Sequence, residues 1–223
     1  MPINGKQLAR MTDSTHIATL ATKQEVDEMI RQAKEYHFFA VNGPAAYFSY
    51  LARQLQGTDT NPGFGCTRWS GADPSHCKAY AAKWAVENGA QEIDMVMNLS
   101  FFKSGLYDEV VRDVRCVKDA IGDKALKVIV ECVFWTDKEI EKATELLIEG
   151  GADCIKSCTG MEGPCTLHHI EVITRTARGR AWVKAAGGVR TLETVDQMLT
   201  LGVQRFGINY RTAKMLCDQA NLR

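Results

Sequence analysis

Two lysines close short apolar runs: Lys156 in Ala152-Asp153-Cys154-Ile155-Lys156-Ser157-Cys158-Thr159-Gly160, and Lys184 in Trp182-Val183-Lys184-Ala185-Ala186-Gly187-Gly188. Residues of this type at successive strand ends point to amine chemistry. An ordinary lysine, with a pKa near ~10.4, is protonated at neutral pH and has no lone pair with which to attack a carbonyl. A nearby cation and partial desolvation both disfavour the charged form, so a second lysine is a means of making the first nucleophilic. The pair reads as a Schiff-base nucleophile and its like-charged neighbour, acting on an aldehyde or ketone. A single lysine at a strand end is more often a solvated residue where the strand meets water. The pairing, and the elements around it, favour the chemical reading.

Those elements alternate. Apolar or β-rich runs at 14–20, 38–42, 64–67, 92–97, 126–132, 154–157, 181–185 and 204–208 are expected as strands. Helical periodicity marks 24–36, 45–56, 74–88, 107–121, 137–149, 167–177, 192–201 and 210–220. Asp73-Pro74 opens one helix, Thr136 with Glu139 forms a capping-box pattern, and Gly89, Gly150 and Gly202 stand where helices should stop. Eight strand-helix units with short connections in 223 residues predict a single (βα)8 TIM barrel spanning 1–223, since open doubly wound sheets commonly have fewer strands. In such a barrel the loops after the strands surround one pocket, and sequence-distant residues meet there. Asp94, amid Ile93, Met95 and Val96 of the fourth strand, is expensive to bury without a cationic partner, and Lys156 and Lys184 are the candidates.

Composition excludes several classes. Lys plus Arg equals Asp plus Glu at 27 each, so there is no net field to attract nucleic acid or an anionic membrane, and the expected partners are small molecules. No apolar run approaches the ~18 residues of a membrane span, and the start shows no signal-peptide pattern, so a cytoplasmic protein is expected. Eight cysteines scattered through apolar runs read as reduced thiols. Cys154, Cys158 and Cys165 with His168 and His169 match no tight zinc spacing, and no metal site is expected. His16 reads as a hydrogen-bonded core histidine, and Trp69, Trp84, Trp135 and Trp182 as packing residues.

In sum these segments resemble the deoxyribose-phosphate aldolase family, class I aldolases that cleave 2-deoxyribose 5-phosphate into acetaldehyde and glyceraldehyde 3-phosphate. The resemblance runs from about Thr12 to Tyr210 and rests on Gly89-Ala90-Gln91-Glu92-Ile93-Asp94-Met95-Val96, Leu126-Lys127-Val128-Ile129-Val130-Glu131, the stretch from Gly151 to Gly160, and Val183-Lys184-Ala185-Ala186-Gly187-Gly188-Val189-Arg190. It implies that Lys156 forms the Schiff base, that Lys184 depresses its pKa, and that Asp94 assists proton movement, with no cofactor. Asp13, Lys127 and Glu131 fall on the family's polar interior, where a supporting ion-pair network is as good a reading as contact with substrate. Thr159, Gly160, Gly187, Gly188 and Asn209 are the candidates for holding a sugar phosphate, chiefly through backbone N–H groups.

The chain also departs from the family pattern. Asn209 and Tyr210 follow the eighth strand in place of small serines, and Tyr210 is expected to narrow the pocket, with Arg211 a compensating charge. Ser157-Cys158-Thr159 replaces the usual Thr-Ser-Thr, and the third-strand loop from Asn61 to Gly71 stays glycine-rich but replaces the usual Phe-Pro turn. The expected activity is thus cleavage of 2-deoxyribose 5-phosphate. The alternatives are a same-mechanism aldolase on another short sugar or sugar phosphate, and a non-catalytic sugar-phosphate-binding barrel. A homodimer is the default assembly for such barrels.

Overall fold

In the computed structural model, which describes residues 3–223, eight strands lie side by side, all parallel, and the eighth pairs back onto the first to close a barrel. In chain order the elements are α1 (Gly5–Ala9), β1 (Thr12–Thr15), α2 (Lys23–Tyr36), β2 (Ala40–Asn42), α3 (Phe48–Leu55), β3 (Asn61–Gly65), α4 (Ser75–Glu87), β4 (Glu92–Val96) and α5 (Leu99–Lys103). They continue with α6 (Tyr107–Ile121), β5 (Ala125–Ile129), α7 (Asp137–Glu149), β6 (Cys154–Lys156), α8 (Leu167–Ala177), β7 (Trp182–Ala186), α9 (Leu192–Thr200), β8 (Arg205–Asn209) and α10 (Tyr210–Ala220). This is the (βα)8 architecture that the alternation predicts.

Local chemistry sets the helix ends. Thr136 accepts the Glu139 N–H while the Glu139 carboxylate accepts from the Thr136 N–H, so α7 starts on the expected capping box, and Thr22 with Glu25 repeats it at α2. The apolar stripes of the helices pack on the outside of the barrel, as with Val110, Val114, Val117 and Ile121 of α6. A fully buried pair, Lys78 Nζ to Asp113 Oδ2 at 2.6 Å, holds α4 to α6, and the Ser75 hydroxyl satisfies the other Asp113 oxygen.

Several boundaries differ from the sequence expectation. The first strand is Thr12–Thr15 rather than 14–20, because all four of its residues are polar, with Asp13 turned into the barrel interior, and so it carries no apolar alternation. The third begins at Asn61 rather than 64. Pro-Gly reads as turn punctuation, yet Pro62 needs only its carbonyl here, which accepts the Gln91 N–H at 2.9 Å. The fifth ends at Ile129 instead of 132: Glu131 adopts φ 54° and turns the chain into a short 3-10 turn, Cys132–Phe134. The helix expected over 45–56 starts as a 3-10 turn, Ala45–Tyr47, after Pro44. Two five-residue helices, α1 and α5, went unanticipated because so few residues show no 3.6-residue period.

Candidate active site

The barrel interior is ionic where such barrels are usually filled by branched apolar side chains. Glu92 and Asp94, two residues apart on β4, point to the same side, and parallel pairing sets Asp94 beside Lys127 and Lys156 beside Lys184. Lys127 Nζ lies 2.9 Å from Asp13 Oδ2, 2.9 Å from Glu92 Oε2 and 2.7 Å from Asp94 Oδ1. Arg205 reaches Asp13 Oδ1 at 3.0 Å and Glu92 Oε1 at 3.5 Å, and its guanidinium stacks on Phe39. Lys184 is paired with Asp13 Oδ2 and lies 3.3 Å from Asp94 Oδ2. Lys156 donates to that same Asp94 oxygen at 2.8 Å.

Three carboxylates, Asp13, Glu92 and Asp94, therefore face four cations, Lys127, Lys156, Lys184 and Arg205. The cluster balances its charge when one lysine is neutral. Burial pushes Lys184 below the ordinary lysine range; Asp13 and Asp94 oppose this, while Lys127 and Lys156 add to it. Burial alone would raise the Asp94 carboxyl, but Lys127, Lys156 and Lys184 overcome it and hold Asp94 well below the usual carboxylate range. Asp13 is likewise held down, against burial, by Lys127, Lys184 and Arg205. Lys127 shows the converse: burial disfavours its charge, but Asp13, Asp94 and Glu92 raise its pKa well above the ordinary value.

Two cavities divide the barrel mouth, and Lys156 with Thr159, Thr15 and Ile17 lines both. One, of about 230 Å³, lies over β2 to β5 and is also lined by Asn42, Gly65, Thr67, Trp69 and Asp94. The other lies over β6 to β1, where Gly160, Gly187, Gly188, Gly207, Asn209 and Arg190 surround it. Among the described residues Lys156 is the only lysine on either cavity; Lys184 and Lys127 are fully buried beneath. Asp13 and Glu131 also line neither. Both Glu131 oxygens accept the Thr159 N–H, at 3.1 and 3.2 Å, so this carboxylate supports the loop after β6 from below. Burial raises its pKa, and the Thr159 N–H works in the opposite direction.

The departures from the family pattern resolve individually. Tyr210 is buried against His16, ring centroids 5.0 Å apart, and does not narrow either cavity. Arg211 lies outside the cavity and pairs with Glu25 at 3.0 Å. Asn209 does line the second cavity; its Oδ1 caps α10 through the Arg211 N–H, which leaves its amide N–H groups for a ligand. The Cys158 and Cys165 thiols donate to the carbonyls of Ala186 and Gly187, and His168 pairs with Asp137. Sequence reasoning missed Glu92, Arg205 and Asn42. The signal for Glu92 was its place two residues before Asp94; that for Arg205 was a cation opening an otherwise apolar strand.

Gly187 shows why the second cavity needs glycine. It adopts φ 80°, and a Cβ there would stand 2.5 Å from Cys158 Sγ and 3.1 Å from Gly160 Cα. Gly187→Ala is expected to reduce stability by about 1–3 kcal/mol, because backbone strain and a close contact both have to be accommodated. Chemical denaturation checks this: an unchanged midpoint would mean that the loops have room to separate.

An ionic cluster at the C-terminal mouth of a closed (βα)8 barrel, with one lysine reaching the cavities, has the form of a TIM-barrel enzyme site. The model of the DeoC/LacD family aldolases matches residues 8–208. Deoxyribose-phosphate aldolase of Staphylococcus epidermidis RP62A is 39% identical over 204 residues, which cover 89% of this chain and 91% of that one. The Carboxydothermus hydrogenoformans enzyme of the same name is 36% identical over 213 residues, covering 92% of each. Among solved structures, the aldolase QR15 superposes with TM-score 0.90 at 30% identity, over 96% of this chain and 98% of QR15. The chain belongs to the DeoC/LacD aldolase family. No helix among the described residues is long and apolar enough to cross a membrane.

Proposed function

We propose that this aldolase cleaves 2-deoxy-D-ribose 5-phosphate to acetaldehyde and D-glyceraldehyde 3-phosphate through an imine on Lys156. The observation that carries the reading is the position of Lys156: the cavity-lining amine, 2.8 Å from Asp94, in a cluster with one more cation than carboxylates. The names of the relatives support the substrate.

Neutral Lys156 attacks C1 of the open-chain sugar, and water leaves to give an iminium. The bond between C2 and C3 then breaks as its electron pair moves toward the iminium nitrogen. Asp94 takes the C3 hydroxyl proton, directly or through one water, and passes it to Lys184, whose neutral form burial favours and which lies 3.3 Å away. The Asp94 carboxylate, 2.8 Å from the Lys156 nitrogen, also stabilises the positive charge of the iminium. The proton held on Lys184 returns by way of Asp94 to the enamine carbon, and water adds to the resulting iminium to release acetaldehyde and neutral Lys156. No metal, cofactor or macromolecular partner enters these steps.

The phosphate is assigned to the second cavity. There the positive-φ glycines Gly160, Gly187 and Gly188 leave backbone approachable, and the exposed Arg190 has no ion-pair partner among the described residues. The test is acetaldehyde release from 2-deoxyribose 5-phosphate and from unphosphorylated 2-deoxyribose. A kcat/KM at least about 100-fold higher for the phosphate ester is expected from charge-assisted contacts. Equal values would remove the phosphate from the reading and leave a deoxysugar aldolase.

A further inference from the structure

The cavity over β2 to β5 contains a side chain that the proposed reaction does not use. Asn42, the last residue of β2, is 7% exposed, and neither its Oδ1 nor its Nδ2 has a hydrogen-bond partner. A buried carboxamide unsatisfied at both ends is unfavourable, and at the wall of a cavity it calls for a partner that both donates and accepts. β3 makes the room for it. The Asn42 side chain lies over Gly63, where a Cβ would come within 2.9 Å of its Cγ and 3.0 Å of its Nδ2. Two residues on, a Cβ at Gly65 would meet nothing within 4 Å, so this second glycine opens space that continues into the cavity lined by Lys156 and Asp94.

The two sectors of the mouth can be assigned to the two halves of the reaction. If the acceptor aldehyde and its phosphate occupy the glycine side over β6 to β1, the substituent on the imine carbon points to the Asn42 side. Acetaldehyde places only a hydrogen there. As an imine it contributes only two carbon atoms, which fill little of about 230 Å³ and give Asn42 no partner. A hydroxyl both donates and accepts, which is what a carboxamide with a free carbonyl and a free NH2 can satisfy.

We infer that the donor half-site also takes α-hydroxy ketones, with the hydroxymethyl group on the imine carbon seated over Gly65 and hydrogen-bonded to Asn42. This rests on the imine reading of Lys156 and widens the class of donor it uses. The chemistry is redox-neutral. Lys156 Nζ bonds to the ketone carbon and water leaves; the iminium loses a methyl proton to form the enamine. The enamine carbon bonds to an acceptor aldehyde, whose oxygen takes up a proton, and water then releases the product and the free amine. The hydroxyl on Asn42 is not consumed.

The chain would be incubated separately with hydroxyacetone, acetone and acetaldehyde in the presence of borohydride, and adduct formation followed by intact mass. Comparing hydroxyacetone with acetone isolates the hydroxyl, and comparing variants with the unsubstituted chain removes the intrinsic reactivities of the carbonyl compounds. In Asn42→Ala the hydroxyacetone-to-acetone ratio is expected to fall about tenfold, as for loss of one buried hydrogen bond. In Gly65→Val, at a strand position with no left-handed φ, both ketones should fall relative to acetaldehyde by about tenfold or more. The second variant stands if the first does not fold. Unchanged ratios in the folded variants overturn the inference, as does an unsubstituted chain that traps acetaldehyde but neither ketone; the imine reading survives both results. No adduct from any of the three overturns both.

Discussion

Lys156→Ala is expected to abolish the borohydride-trapped acetaldehyde adduct and to lower kcat/KM for 2-deoxyribose 5-phosphate cleavage by at least about 10⁴-fold. The size follows from position. Lys127 and Lys184 are fully buried and line neither cavity, so among the described residues no second lysine reaches a substrate carbonyl. Lys156→Arg makes the same point without removing the charge, because the guanidinium pairs with Asp94 but is not deprotonated at working pH and forms no imine. Both variants should remain folded, since Lys156 makes a single ion pair at the edge of the cluster. Intact-mass measurement after reduction and steady-state release of acetaldehyde check the expectation. An adduct persisting in Lys156→Ala would place the nucleophile elsewhere and refute the mechanism.

The second large effect concerns stability. Asp13 is the hub of the cluster: fully buried, it faces Lys127, Lys184 and Arg205 at once. Asp13→Ala leaves three buried cations with only Glu92 and Asp94 to answer them, and removing one partner of a buried pair costs about 3–5 kcal/mol. For a domain of this size that corresponds to a fall in Tm of about 10 °C. The folded Asp13 carboxyl is held below its ordinary value, so its contribution is present above the unfolded pKa of about 3.9 and is lost as pH falls through the folded value. The difference between the two chains should stay constant from neutral pH down to about 4 and narrow only in stronger acid. A Tm unchanged at neutral pH would show that water or a shifted lysine proton compensates for the carboxylate.

Arg205 and Glu92 belong to the same cluster, Arg205 reaching both Asp13 and Glu92. Each was invisible as part of the site when read along the chain, because a charged residue at the first position of a strand usually faces solvent. Closure of β8 onto β1 turned Arg205 inward onto Asp13 instead. Gly207, in register with Asp13, contributes by absence: a Cβ there would lie 3.1 Å from Lys184 Cε. Asn42 escaped notice for a related reason. Its unpaired carboxamide is a fact about neighbours from β3, and no spacing within 38–42 encodes it.

Local chemistry in the sequence was enough for the alternation of eight strands and helices, the helix limits at 107–121, 137–149, 167–177 and 210–220, and the pairing of two strand-end lysines with Asp94. These depend on periodicity, capping and the cost of burying a charge, all of which act over a few residues. Tertiary structure alone decided which lysine reaches the cavity and which stays beneath it, where Tyr210 and Arg211 turn, and that three carboxylates meet four cations. Those outcomes follow from closing the barrel: parallel register fixes which side chains from different strands share a layer, and burial then sets the charge each can carry.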